Sequence, residues 1–248
     1  MSKKTIIATY FVKKAYICPR KKTNGQTEKT QKMVIKHFTF NILNVNTYVL
    51  IDEKTHEAIV IDPGCQTQEE KKTFKDFIIN NGLTIKRILD THLHFDHIYG
   101  QRFVEETFGV GGEACKKDIT FLNHYQDLSV MFNMPMDDEA LPLKGFLVDG
   151  DTVEVGSIKL NVLHVPGHSP GGLAFYEGNE HCAFVGDTIL EGGIGRTDMH
   201  RGNYDTLVKS IKEKLLILPD DTMLYSGHGP SSTLGHEKAH NPEIKKNA

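Results

Sequence analysis

The stretch Thr91-His92-Leu93-His94-Phe95-Asp96-His97 decides how the rest of the chain is read. Four strong metal donors fall within six residues, directly after the apolar run 85–89. A β-strand sends alternate side chains to one face, so His92 and His94 leave the end of that run side by side. Asp96 and His97 come next, where the chain has to turn into a helix, expected over 98–108. Taken singly, Asp96 reads as a helix N-cap and a lone histidine as a hydrogen-bonded core residue. Taken together, three imidazoles and a carboxylate exceed what one tetrahedral zinc takes. The cluster reads as donors shared between two ions.

Size and composition set the frame. The 248 residues suffice for one sizeable core, and 39% hydrophobic with 25% charged residues is ordinary for a globular chain. The net charge of −3 hides an asymmetry, because residues 1–32 hold nine Lys or Arg against Glu28. That segment carries +8 and leaves −11 for the remainder, so an acidic body with no affinity for nucleic acid is expected. No apolar run approaches the roughly 18 residues that span a bilayer, so no membrane partner is expected. Cys18, Cys65, Cys115 and Cys182 form no CxxC pair. Reduced thiols in a cytoplasmic enzyme are the expectation. Residues 1–32 share no pattern with the rest of the chain and read as a basic, disordered N-terminal extension, and the folded domain is expected over 33–248.

From residue 34 the pattern is strand after strand: 34–40, 47–51, 58–61 and 85–89, with a helix over 71–81. Residues 114–143 interrupt it with helix and loop, and include Met131-Phe132-Asn133-Met134-Pro135-Met136, read as core filler before a lip over a pocket. Strands resume at 146–148, 153–155, 158–165, 173–176, 182–185 and 223–225, with a helix over 204–215. Further donors stand where these strands end. His168 sits in the turn Pro166-Gly167-His168-Ser169-Pro170-Gly171, Asp187 comes directly after Gly186, and His228 lies between Gly227 and Gly229. Asp62, ahead of Pro63-Gly64, reads either as a group orienting the histidine turn or as a cap of its own turn.

Sorted by position, one ion takes His92, His94 and His168, and the other takes Asp96, His97 and His228, with Asp187 bridging. This nitrogen–oxygen set suits zinc first, with iron or manganese also accepted. Two ions about 3.5–4 Å apart would share a hydroxide that is nucleophilic near pH 7, with Asp96 to orient it or take its proton. Hydrolysis of an ester, thioester or lactam is the expected reaction class.

His92-Leu93-His94-Phe95-Asp96-His97, Gly167-His168-Ser169-Pro170-Gly171, Gly186-Asp187 and Gly227-His228-Gly229 resemble the motifs of the metallo-β-lactamase superfamily, in its order, over 33–235. That resemblance implies an α+β fold, a four-layer αββα sandwich with the metal site at one edge, and the same seven ligands. Gly192-Gly193-Ile194-Gly195-Arg196-Thr197-Asp198 and the stretch from Gly229 through His240-Asn241-Pro242 are similar to the glyoxalase II branch in its short bacterial form. The branch implies hydrolysis of a small-molecule thioester, S-lactoylglutathione, with Arg196 toward the glutathione carboxylate. Longer glyoxalase II proteins carry a helical C-terminal domain with glutathione contacts, and the short form is expected to do without them, so the resemblance implies a thioester before it implies glutathione. Gly195-Arg196-Thr197-Asp198 also resembles the mononuclear-iron persulfide dioxygenases of the superfamily. A lactonase is a further alternative, a β-lactamase is not expected without an export signal, and an inactive binding module would be expected to have lost donors.

Overall fold

The computed structural model describes residues 33–123, 129–130, 133–134 and 142–247. The N-terminal extension expected over 1–32 therefore lies outside the described residues. Two six-stranded sheets form the body. The first runs β1 (Met33–Phe40), β2 (Val45–Asp52), β3 (Glu57–Ile61), β4 (Thr84–Leu89), β5 (Gly112–Ala114) and β6 (Gly145–Phe146), in that order across the sheet. The second comprises β7 (Thr152–Val155), β8 (Ile158–His164), β9 (Leu173–Glu177) and β10 (Cys182–Gly186). Beyond β10 it adds β13 (Met223–Ser226) and the edge strand β14 (Ser232–Thr233). A small hairpin, β11 (Ile189–Leu190) with β12 (Gly193–Ile194), lies between β10 and β13 in sequence.

Period-two alternation builds the layers. In β2, Tyr48 and Leu50 enter the core between the sheets, while Val49 and Ile51 face outward under helices. In β10, Cys182 and Phe184 point to the shared core, and Ala183 and Val185 point the other way. Both faces of each sheet are therefore apolar, and each outer face is covered. Over the first sheet lie α1 (Gln68–Asn80) and α2 (Gln101–Phe108), which seat Phe74, Ile78 and Val104. Over the second lie α4 (Tyr204–Ser210) with its wider π-helical continuation Ile211–Leu215, α5 (Leu234–His240) and α6 (Pro242–Lys246). The short α3 (Ile119–Leu122) packs near the open edge. The architecture is the αββα sandwich, an α+β fold. No helix among the described residues is long and apolar enough to cross a membrane.

Strand direction explains where the donors gather. Strands β3 and β4 run parallel, so residue 62 and the 91–97 turn emerge at one edge of the first sheet. Strand β9 is antiparallel to both β8 and β10, and β10 is parallel to β13, so β8, β10 and β13 all end at one edge of the second. The two edges are joined. Leu173 N–H donates to Thr91 O at 2.7 Å, and Asn46 N–H, at the start of β2, donates to Gly227 O at 2.7 Å.

Some boundaries differ from the sequence reading. Helix α2 begins at Gln101, not at residue 98, because 95–100 form a tight turn that buries Ile98 with Leu93 and Phe95. Helix α1 begins at Gln68, where Thr67 and Glu70 complete a reciprocal cap. In the interrupted region, Met134 is 1% exposed and fills a core with Leu93, Phe95 and Phe121. Met131, Phe132, Pro135 and Met136 lie outside the described residues.

Candidate metal centre

The seven donors expected from the sequence are brought together. Ligand atoms of His92, His94 and His168 lie within 4.8 Å of one another, as do those of Asp96, His97 and His228. His92, His97 and Asp187 form a third such group that links the two sets. Asp187 stands between them: its Oδ2 is 3.6 Å from His168 Nε2 and 3.6 Å from His228 Nε2, and its Oδ1 is 3.6 Å from His97 Nε2. Asp96 Oδ2 lies 3.2 Å from His228 Nε2.

Hydrogen bonds on the far side of each ring aim the Nε2 atoms inward. Nδ1–H of His97 donates to Asp62 Oδ2 at 2.9 Å, that of His168 to Arg196 O at 2.8 Å, and that of His228 to Leu43 O at 3.0 Å. With Nδ1 engaged as the donor, Nε2 is the ring atom left to face a cation. His92 follows the same rule through Thr91, whose hydroxyl donates to Asp62 Oδ2 at 2.6 Å and faces His92 Nδ1 at 3.1 Å. Asp62 thus orients two rings, and its Oδ1 also accepts the Thr91 backbone N–H at 2.7 Å. Of its two sequence readings, the orienting one matches the contacts. The cost is local strain: Asp62 has φ +51°, a left-handed conformation worth about 1–3 kcal/mol for such a residue. Close packing also demands a glycine at 227, where a Cβ would sit 2.3 Å from Asp187 Oδ1 and 2.5 Å from His97 Cε1.

The two sets differ electrically. Burial and the neighbouring imidazoles hold His92 well below its ordinary range and push His94 down to about 3. Burial would lower His97 too, but the carboxylates of Asp96, Asp187 and Asp62 outweigh it and raise the ring. His228 is raised in the same way, against burial, by Asp96 and Asp187. Burial opposes ionisation of Asp187 and Asp96, yet the surrounding imidazoles hold both below the usual carboxylate range.

Divalent cations fit this donor set. Among the described residues, His97 Nε2 and Asp187 Oδ1 are buried without a hydrogen-bond partner, each a loss of roughly 1–3 kcal/mol unless something takes the lone pair. His92 Nε2 and His168 Nε2 face each other at 3.2 Å, with both Nδ1 atoms already engaged. Facing lone pairs repel unless a cation or proton sits between them.

Arg196 is the sequence candidate that the fold treats differently. Its guanidinium is exposed and forms two bonds to Asp198, at 2.8 and 3.0 Å, while its carbonyl orients His168. Thr91, and Phe121, which meets His94 edge-on at 4.9 Å, join the site without any donor signal in the sequence.

Comparison with known proteins agrees with this geometry. A model described as the metallo-beta-lactamase superfamily matches residues 41–228. The chain belongs to the metallo-beta-lactamase superfamily. Within that superfamily it is 36% identical over 192 residues to hydroxyacylglutathione hydrolase GloC of Haemophilus influenzae, covering 77% of this chain and 88% of that one. Among solved structures it is similar to BLEG-1 B3 metallo-beta-lactamase, with a TM-score of 0.78, 33% identity and coverage of 85% and 99%. It is also similar to TTHA1623 in a di-iron-bound form, with a TM-score of 0.72, 31% identity and coverage of 83% and 98%. ETHE1 from Myxococcus xanthus matches with a TM-score of 0.70, 27% identity and coverage of 86% and 85%.

Proposed function

We propose that this superfamily member is a two-metal thioesterase of the glyoxalase II type, acting on an S-acylglutathione such as S-lactoylglutathione. The observation that carries the proposal is the second donor set: Asp96, His97 and His228 converge beside the three histidines and share Asp187 with them. The likeness to GloC supports the substrate class, and the di-iron form of TTHA1623 supports two ions in such a site. His92, His94 and His168 would hold one ion, Asp96, His97 and His228 the other, and Asp187 both. Zinc is assigned first for this nitrogen–oxygen set, with iron second. When bound, such ions supply a nucleophilic hydroxide at neutral pH and polarise an acyl carbonyl.

The chain's own residues do the rest. Asp96, held below the usual carboxylate range by His97 and His228, would orient the attacking water or take its proton. In the overall exchange water adds to the thioester carbon, the carbon–sulfur bond breaks, and an acid and a thiol leave. Arg196 has to release Asp198 to meet a carboxylate of the thiol carrier.

The likeness of Gly195-Arg196-Thr197-Asp198 to persulfide dioxygenases carries a second reading, one iron and an oxygen-consuming reaction. A single panel separates the two. The purified protein is analysed for metal and assayed on S-lactoylglutathione, a lactone, a β-lactam and glutathione persulfide with oxygen uptake recorded. Two ions per chain with thioester turnover ahead of the others is the expected result. One iron per chain with oxygen uptake on the persulfide overturns it.

A further inference from the structure

The three histidines of the first donor set come from two separate turns, one after β4 and one after β8. Asp118, at the start of α3, belongs to neither turn and touches both. It is fully buried. Its Oδ2 accepts the Ser169 hydroxyl at 2.7 Å and lies 3.4 Å from the Leu93 backbone N–H. Its Oδ1 accepts the Gly171 N–H at 2.6 Å. Leu93 stands between His92 and His94, and Ser169 is the residue after His168. A Cβ at Gly171 would lie 2.6 Å from Asp118 Cγ, so the His168 turn is shaped to sit directly on this carboxylate. One acid therefore bonds into both turns that carry the three imidazoles, and into neither residue 96–97 nor 228.

The geometry points to Asp118 as a positioning residue that clamps the His168 turn against the His92–His94 turn and so sets the affinity of the three-histidine site alone. This rests on the two-ion reading above. A carboxylate offers four lone-pair directions and here receives three donors. An amide in its place keeps one acceptor oxygen and turns N–H groups toward donors, so at least one of the three bonds is lost. An acid that merely fills a buried position would, when altered, lower global stability and weaken both ions alike.

The test is a zinc titration against a competing chelator, with Asp118→Asn made in two backgrounds. In His228→Ala, which spares the three-histidine set, Asp118→Asn is expected to weaken the remaining tight zinc roughly 10-fold or more, as loss of an orienting partner does. In His168→Ala, which spares the Asp96/His97/His228 set, it is expected to leave the remaining zinc unchanged. Ser169→Ala removes one arm only and is expected to show the same selectivity at a few-fold, which carries the test should Asp118→Asn not fold. Equal weakening in both backgrounds, or none in His228→Ala, overturns the clamp. Fewer than two zinc ions on the unaltered protein would instead overturn the two-ion reading, which the same titration reads separately.

Discussion

The two donor sets sit side by side yet are neutralised in opposite ways. In the His92/His94/His168 set, burial and the crowding of imidazoles hold His92 well below its ordinary range and push His94 to about 3. In the Asp96/His97/His228 set, the carboxylates outweigh burial and raise His97 and His228, so a proton competes more strongly for these rings. In the first, His92 and His94 stay neutral and open to a cation. In the second, a cation and a proton compete for the same Nε2 atoms. Neighbouring ligands built from the same residue types can thus be one site ready for metal and another gated by pH.

Asp187 is where the comparison is broken most severely, since it reaches both sets. Asp187→Ala is expected to cut thioester kcat/KM by about 10³-fold or more while circular dichroism stays native. A near-normal rate would mean that the two sets do not act together. His94→Ala, which removes one neutral donor, is expected to approach the same loss.

Acidification sharpens the contrast. Because His97 and His228 are raised above a free imidazole, protons compete with metal for them already above about 6.5, and increasingly as pH falls. His92 and His94 are lowered, so they remain unprotonated well below that value. Zinc counted per chain from pH 8 to pH 5 is therefore expected to fall from two toward one. The Asp96/His97/His228 ion leaves first. Simultaneous loss of both, or survival of that ion, contradicts the electrical distinction.

A smaller effect is expected at Asp62, which orients His97 directly and His92 through Thr91. Asp62→Asn is expected to weaken zinc at the Asp96/His97/His228 set by roughly 10-fold or more. Chelator competition measures it, and an unchanged affinity would remove Asp62 from the orienting role. Smallest of all is Arg196→Ala. An exposed ion pair is worth about 0.2–1 kcal/mol, so KM for S-lactoylglutathione should rise by less than about fivefold, with kcat preserved. A collapse of kcat would show that the guanidinium, and not only the carbonyl on His168, serves the site.

The sandwich and its donors are legible in the sequence because both obey local rules. Residues such as Tyr48, Leu50, Phe175 and Phe184 alternate with others apolar on the opposite face, which is how a strand covered on both sides reads. Each donor stands at a strand end marked by Gly, Pro or Asp, and strand polarity carries these ends to one edge. The features that sequence alone does not show are held by contacts distant along the chain. The two-residue strands of the β11–β12 hairpin are too short for any period to show. Helix α2 starts as late as Gln101 because His97 must turn inward, with Gly100 packed so tightly that a Cβ would lie 2.3 Å from Cys65 Sγ. Asp118 is a single acid before a four-residue helix, and only the fold brings it to Leu93, Ser169 and Gly171. Arg196 carries a recognisable motif, but a sequence motif does not say whether the side chain or the carbonyl is used.

The most direct test of the two-set account is a zinc titration of metal-stripped protein at pH 7.5, with hydrolysis of S-lactoylglutathione followed at every point. The account predicts binding of two ions per chain, with thioester turnover rising to its maximum only as the second site fills. Full activity at one equivalent, or two bound ions without thioester turnover, would contradict it.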